Sequence, residues 1–285
     1  MESITFGQCV KGAWRDGWRY FRHRPVFAVL LPLYAWLSSS VMNGLRPDST
    51  PPFRLLTYVP LGVFTLMDSA LFSLLIMHAI RFVLLDNDSP KAQPIPAPSY
   101  WRFLGCTWGL AMLAPLLVCL ALVPICLAMA LYIGLMIGLA HTAKIAIVLH
   151  PVEARILIAF VGAGLVLFAG GITCFVLTRL SLLHTHVAIG GTLRIREVWT
   201  DTRGHCWSLW LTQWCAGLPT LAAWGLVAAY ELVSRHEGLA SLNTLNTFSA
   251  PTTALSAFGA LYIGAPCSAW LYRRYANTLK ASPAR

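Results

Sequence analysis

The sequence predicts an all-α fold, a polytopic transmembrane bundle of six spans with short amphipathic interfacial helices. Three observations carry that reading. Of 285 residues, 57% are hydrophobic and 11% charged, with a mean hydropathy of +0.65, whereas about a quarter of a soluble domain is charged. Apolar runs of bilayer length recur along the chain with no long polar block between them, so residues 1–285 read as a single integral membrane domain. Basic residues gather at alternate ends of those runs, which sets an orientation. The net charge of +10 would suggest nucleic acid in a soluble protein. Here the cations flank apolar spans, so orientation and anionic lipid account for them and no nucleic-acid partner is expected.

Residues 1–24 are expected to form a basic interfacial helix. Lys11, Arg15, Arg19 and Arg22 recur at i, i+4, i+8 and i+11, with Val10, Trp14, Trp18 and Phe21 beside them. Such a face attracts anionic phospholipid headgroups at about 1 kcal/mol per basic residue near the surface. The same charges also serve as a plain topological anchor. Because the basic region runs to Arg24 and a run of spanning length follows, a cleavable signal peptide is not expected.

Residues 25–180 are read as spans one to four. The first covers Pro25 to Leu45, with Pro25 tolerated in a first helical turn and Pro32 expected to bend the helix. The second covers about Tyr58 to Leu85 and contains Asp68, Ser69, Ser73 and His78. Four prolines make 86–99 an irregular loop. The apolar run from Trp101 is too long for one crossing. It is expected to cross once, bend at Pro115 or Pro124, and continue as an outer-side apolar segment, Leu135 to Leu149, carrying His141, Lys144 and His150, with a re-entrant segment or a long third helix as the alternatives the sequence leaves open. The fourth span is placed at Ile156 to Leu180. Gly162, Gly164, Gly170 and Gly171, like Gly105 with Gly109 and Gly134 with Gly138, are expected to admit a second helix closely.

The polar, basic passage Arg179 to Trp210 divides the apolar sequence, and 181–206 reads as a cytoplasmic amphipathic connection. Ile195, Val198, Trp199 and Thr202 recur at i, i+3, i+4 and i+7, with Arg194, Arg196, Glu197, Asp201 and Arg203 between them. Gly190 and Gly191 break the chain before this helix, Thr192 is its expected N-cap, and Gly204 its stop. Residues 207–272 supply spans five and six, about Trp207 to Val233 and Thr252 to Tyr272, with Trp207, Trp210 and Trp214 as an interfacial belt. Residues 273–285 form a basic tail. This layout puts sixteen of the 21 Lys and Arg on one side and leaves Arg46, Arg54, Lys144, Arg155 and Arg235 on the other. Both termini are therefore expected in the cytoplasm of a bacterial inner membrane.

None of the eight cysteines falls in an expected outer segment, so disulfides are not expected. No CxxC or zinc-spaced Cys/His ladder occurs, and His184 and His186, even with His78 and His205, lack a carboxylate or thiolate in register. No metal site, cofactor or catalytic residue is assigned, since GxSxG, HExxH, P-loop and GxGxxG patterns are all missing. Asp68 is the acid nearest mid-span. It is either a pathway residue or a protonated, hydrogen-bonded structural acid, and facing lipid would cost it several kcal/mol. WRDGW at Trp14 and WTDTR at Trp199 echo each other in two basic helices, an agreement that chance also produces.

HAIRFVLLDNDSP (78–90), YWRFLG (100–105) and RLSLLHTHVAIGGTLRIREVWTDTRGHCWSL (179–209) resemble an uncharacterised family of proteobacterial six-span inner-membrane proteins. That family shows HRFVLLGE-like and LRESWRLTRGN-like motifs, and is distantly similar to the membrane domain of some glycerophosphodiester phosphodiesterases. The resemblance implies a fold and an organism type; it implies no activity. The sequence shows LLHTHVAI where the family has LALPAIAV, and IRFVLLDN for HRFVLLGE.

Two functions compete. The first is a non-enzymatic scaffold or accessory protein contacting anionic lipid headgroups, or a membrane-protein partner, through Lys11, Arg15, Arg19, Arg22, Arg194, Arg196 and Arg203. The second is a small permease component using Asp68, and a lipid-acting enzyme trails both for want of an acid/base pair or nucleophile. Reporter fusions at either terminus and near Ala92 are expected to give cytoplasmic signals; a periplasmic signal at any of them would overturn the six-span layout.

Overall fold

Thr5 starts the first helix. Its hydroxyl accepts the Gln8 backbone N–H at 3.4 Å while the Gln8 side-chain oxygen accepts the Thr5 N–H at 2.7 Å, a reciprocal cap that satisfies two otherwise orphaned donors. The computed structural model describes residues 4–45, 55–85, 96–143, 151–236 and 254–281, and the regular structure among them is entirely helical. Helix α1 (Phe6–His23) ends where Arg24 leaves helical geometry, and Pro25 opens α2 (Pro25–Leu45) at a position where its missing N–H costs nothing. Then come α3 (Leu55–Leu84), α4 (Ala97–Ala143), α5 (Pro151–Ala188), α6 (Ile195–Asp201), α7 (Cys206–His236), α8 (Ala254–Tyr275) and α9 (Asn277–Ala281). Gly190 and Gly204 adopt φ of +96° and +79°, the left-handed turns that bracket α6.

Among the described residues four stretches are long and apolar enough to cross a membrane: Gly62–Leu84, Ala97–Val123, Val166–Ala188 and Ala254–Tyr275. Three sequence expectations need correction. First, the chain does not break near Leu135 to begin a separate outer segment; α4 runs unbroken for 47 residues, about 70 Å, through Pro115 and Pro124. A proline removes one ladder bond, and the Leu, Ala and Met around it keep the helix intact. The remainder of the expected outer segment, 144–149, lies outside the described residues, as does 86–95 of the expected proline-rich loop. Second, α5 does not stop at Leu180. It continues to Ala188, with Leu182, Leu183, Thr185, His186, Val187 and Ala188 buried, so the connection shrinks to the turns around α6. Third, Thr192 is not the cap of α6; Arg194 holds that position without a side-chain capping bond, and the Thr192 hydroxyl accepts Arg194 Nε at 3.0 Å.

The chain divides into two compact units. One comprises Met1–Cys106 and Leu180–Arg285, the other Thr107–Arg179. In the first, the end of α3, the start of α4, the end of α5, the start of α7 and the end of α8 meet under α1, α6 and α9. Arg81 of α3 donates to the Ala188 carbonyl (3.5 Å), Arg273 of α8 to the Val83 carbonyl (2.5 Å), and Tyr272 bonds His186 (2.9 Å). Ser208 of α7 bonds Tyr275 (2.6 Å), and Phe103 of α4 packs on His184 at 4.2 Å. Tyr20, Met77, Ile80, Phe103, Leu182, Val187, Val198, Leu209, Leu261, Leu271 and Leu279 fill the core. Away from it, Val29, Leu66, Met67, Leu218 and Leu226 stay exposed, a surface too apolar for water and matched to acyl chains.

The second unit is the distal part of α4 and the proximal part of α5. Met112, Leu120, Leu131, Val166, Leu167 and Phe168 are exposed there, and the Arg179 guanidinium lies 4.9 Å from the Phe175 ring. Among the described residues the expected close contacts at Gly105, Gly109, Gly134, Gly164, Gly170 and Gly171 do not occur: a Cβ at any of them would meet none of their atoms within 4 Å. Gly138 and Gly162 carry no described side-chain surroundings. Helix approach happens instead where α1 crosses α8.

That crossing is built around a local defect. Pro266 has no amide hydrogen for the Tyr262 carbonyl four residues back, and α8 widens into a π-helical turn at Ala260–Gly264. Gly17 of α1 lies directly against that carbonyl, where a Cβ would collide with backbone that cannot yield. Gly17→Ala is expected to lower the thermal midpoint in detergent by an overpacking cost of about 1–3 kcal/mol, while Gly170→Leu leaves it unchanged. Equal midpoints for Gly17→Ala and the parent would remove this contact from the account.

Candidate functional site

Helix α1 has two unlike faces. Cys9, Gly12, Ala13, Asp16, Gly17 and Tyr20 are buried against the rest of the first unit. Tyr20 anchors that face, with Phe82 at 5.2 Å, Tyr262 at 5.7 Å and a 3.1 Å hydrogen bond to His78 Nδ1. Burial, reinforced by Tyr262 and opposed by Arg24, pushes its hydroxyl well above the ordinary phenol value, so it stays neutral. Burial likewise pushes the Cys9 thiol up, partly offset by a hydrogen bond with Arg274. The opposite face exposes Lys11, Trp14, Arg15, Trp18, Arg19 and Arg22. Trp18, 55% exposed, stacks on Phe21 at 5.1 Å and lies under the Arg22 guanidinium at 5.2 Å.

Between these faces α1 and α8 enclose a half-open cavity of about 830 Å³, lined by Ile4, Gln8, Lys11, Gly12, Arg15, Trp270 and Arg273. Gly12 makes its wall possible, because a Cβ there would strike the Trp270 indole. Trp270 Nε1 donates to Asp16 at 2.9 Å, and Arg15 Nε meets the same carboxylate at 3.3 Å. Two guanidinium groups approach the indole ring, Arg15 at 5.9 Å and Arg273 at 5.4 Å. Asp16 is 11% exposed and holds the indole and the base of Arg15; the Arg15 side chain is 71% exposed. Three cations thus border a cavity whose neighbouring acid is already engaged.

The structure brings Lys11 and Arg15 to this cavity and leaves Arg19 and Arg22 on the open face beyond it. Arg194 pairs with Glu197 at 3.3 Å, and Arg196 and Arg203 are exposed around α6. This second basic cluster is tied to α9 through Asp201, which accepts from Thr278 N (3.0 Å), Thr278 Oγ1 (2.8 Å) and Leu279 N (3.2 Å) and so caps that helix. Sequence reasoning missed Gln8, Asp16, Trp270 and Arg273. A signal existed: both acids of the WRDGW and WTDTR echo, Asp16 and Asp201, bind the C-terminal segment.

Asp68 is half-buried between α2 and α3, where Ser38 Oγ donates to Oδ1 at 3.4 Å and Tyr34 also hydrogen-bonds it. It does not line the α1–α8 cavity. The four histidines face separate aromatic partners, His78 with Tyr20, His184 with Phe103, His186 with Tyr272 and His205 with Tyr275. Among the described residues no group of three or more His, Cys, Asp or Glu is placed to hold a metal ion.

Compared with protein-family models, curated proteins and solved structures, the chain matches none. Asp68→Leu is expected to destabilise the protein, stranding the buried Ser38 donor and the Tyr34 hydroxyl at roughly 1–3 kcal/mol for each group left unsatisfied. Asp68→Asn keeps an acceptor and is expected to hold the parent's thermal midpoint more nearly. Identical midpoints for both variants would show that these bonds contribute nothing.

Proposed function

We propose that the protein is a bacterial inner-membrane protein of six crossings, both termini cytoplasmic, that acts as a scaffold or accessory protein by engaging anionic phospholipid headgroups through α1. One observation carries this reading. The face of α1 that the protein leaves uncovered bears Lys11, Arg15, Arg19 and Arg22 together with Trp14 and Trp18, while its opposite face is buried. Cations beside indoles suit the headgroup layer, where the rings lie among glycerol and carbonyl groups and the charges meet phosphate.

Six crossings are supported by the way helix ends assemble. α3, α5 and α8 bring their C-terminal ends, and α4 and α7 their N-terminal ends, into one unit with α1, as three outgoing and returning pairs would. The resemblance to the proteobacterial six-span family fits the same layout. A membrane-protein partner docking on the basic face is compatible with this chemistry. The permease reading rests on Asp68, whose bonds from Ser38 and Tyr34 are also what a structural acid makes.

Hydrogen exchange in nanodiscs tests the proposal. Amides of residues 4–24 are expected to exchange more slowly in discs containing phosphatidylglycerol than in phosphatidylcholine discs, since each near-surface cation contributes about 1 kcal/mol. Replacing Lys11, Arg15, Arg19 and Arg22 by Gln should abolish that difference, and added salt should shrink it. Equal exchange in the two lipids would sink the proposal.

A further inference from the structure

We infer that the cavity between α1 and α8 is a stoichiometric binding site for the headgroup of one anionic phosphoglyceride, distinct from the diffuse attraction of the open face. The inference rests on the lipid reading above and narrows it to a seat with its own residues. Lys11, Arg15 and Arg273 border the cavity and supply the positive charge, while Asp16 already receives the Trp270 indole N–H and Arg15 Nε. A phosphate entering here meets cations from two helices without displacing that carboxylate. Guanidinium groups carry donors in a planar fork that matches phosphate oxygens, and Arg15, with its Nε turned to Asp16, keeps its terminal nitrogens at the exposed end.

The cavity also suits the rest of a headgroup. Its volume of about 830 Å³ far exceeds a bare phosphate, leaving room for glycerol or a second phosphate. Gln8 spends its side-chain oxygen on Thr5, so the end of its amide left for a ligand is the NH₂, a donor for phosphate or hydroxyl oxygen. Ile4 and the indole of Trp270 provide apolar wall, and Trp14 and Trp18 lie on the exposed face of the same helix. The site is rigid where it needs to be: Gly12 seats the indole, Asp16 fixes its N–H, and Arg273 is held by the Val83 carbonyl. Anionic phosphoglyceride is thereby favoured over a soluble phosphate compound, whose chemistry at the phosphate is the same.

Native mass spectrometry of the intact protein, released from detergent containing equal phosphatidylglycerol and phosphatidylcholine, reads the site directly. One phosphatidylglycerol per chain is expected to survive activation that strips other lipids. Lys11→Gln with Arg273→Gln should lower its occupancy roughly tenfold or more, whereas Arg19→Gln with Arg22→Gln should not. Because Arg273 also supports the fold, Lys11→Gln alone is measured beside it, with the thermal midpoint as control; retained midpoint with reduced occupancy supports the site. Displacement of the retained lipid by millimolar inorganic phosphate, but not by chloride at equal ionic strength, would support the phosphate chemistry and assign it to a soluble source. Retention of both lipids alike, or of phosphatidylglycerol undiminished in the Lys11 and Arg273 variants, would overturn the site. Slower exchange of α1 in anionic discs alongside that result would leave the diffuse attraction standing without the pocket.

Discussion

Pro266 cannot offer an amide hydrogen to Tyr262, and the rest of the first unit is arranged around that omission. The π-helical turn it accompanies sets the Tyr262 carbonyl against Gly17, and the neighbouring rings of Tyr20, Phe21, Phe82, Phe258 and Tyr262 pack around the crossing. One turn of α1 to either side, Gly12 admits Trp270 and Tyr20 reaches His78. The cavity, its cations and the open aromatic face all follow from α1 lying close on α8. A bulkier residue at either glycine would lift the helix and separate Lys11 and Arg15 from Arg273.

Burial is concentrated in one layer. Most of the described residues with almost no exposure come from α1, the ends of α3, α5 and α8, the starts of α4 and α7, and α6 with α9, whereas the long apolar reaches of α2, α4 and α7 show large side chains to their surroundings. In water such a molecule would aggregate; in a bilayer, lipid completes what protein leaves uncovered. Polar groups in the layer are handled one pair at a time: Arg81 with a carbonyl, His186 with Tyr272, Asp16 with an indole, Asp201 with a helix start. A carboxylate offers two oxygens that each accept more than one donor, which is why Asp201 can hold two backbone amides of α9 and the Thr278 hydroxyl together.

Much of the architecture was legible because apolar length and proline placement are local signals. Pro25 marked the start of α2, and the glycines on either side of α6 marked its limits. Other features were hidden because they depend on partners far along the chain. SLLHTHVA at 181–188 looks polar and loop-like in isolation, yet Phe103 and Tyr272 take up its histidines and the helix continues. Glycine spacing in α4 and the glycines of α5 suggested close packing, but spacing cannot say whether a helix lies opposite. Trp270 read as part of the sixth span and Arg273 as the start of a basic tail; only folding sets them beside residues more than 250 positions earlier. The two acids of the repeated tryptophan motif were visible, and their shared attachment to the C-terminal segment was not.

That attachment has a consequence for how the protein is made. Asp16 and Asp201 both wait for donors supplied by residues 270–279, and Gly17 waits for Tyr262. Helices emerge from the ribosome in order, so α1 must spend most of synthesis without the surface that buries its inner face. During that interval Cys9, Ala13 and Tyr20 need another apolar shelter, and the membrane interface is the nearest one. The layer therefore closes late, around contacts of long sequence separation that are slow to form. An interrupted chain lacking α8 would carry every earlier helix and still be missing the lock that holds them together.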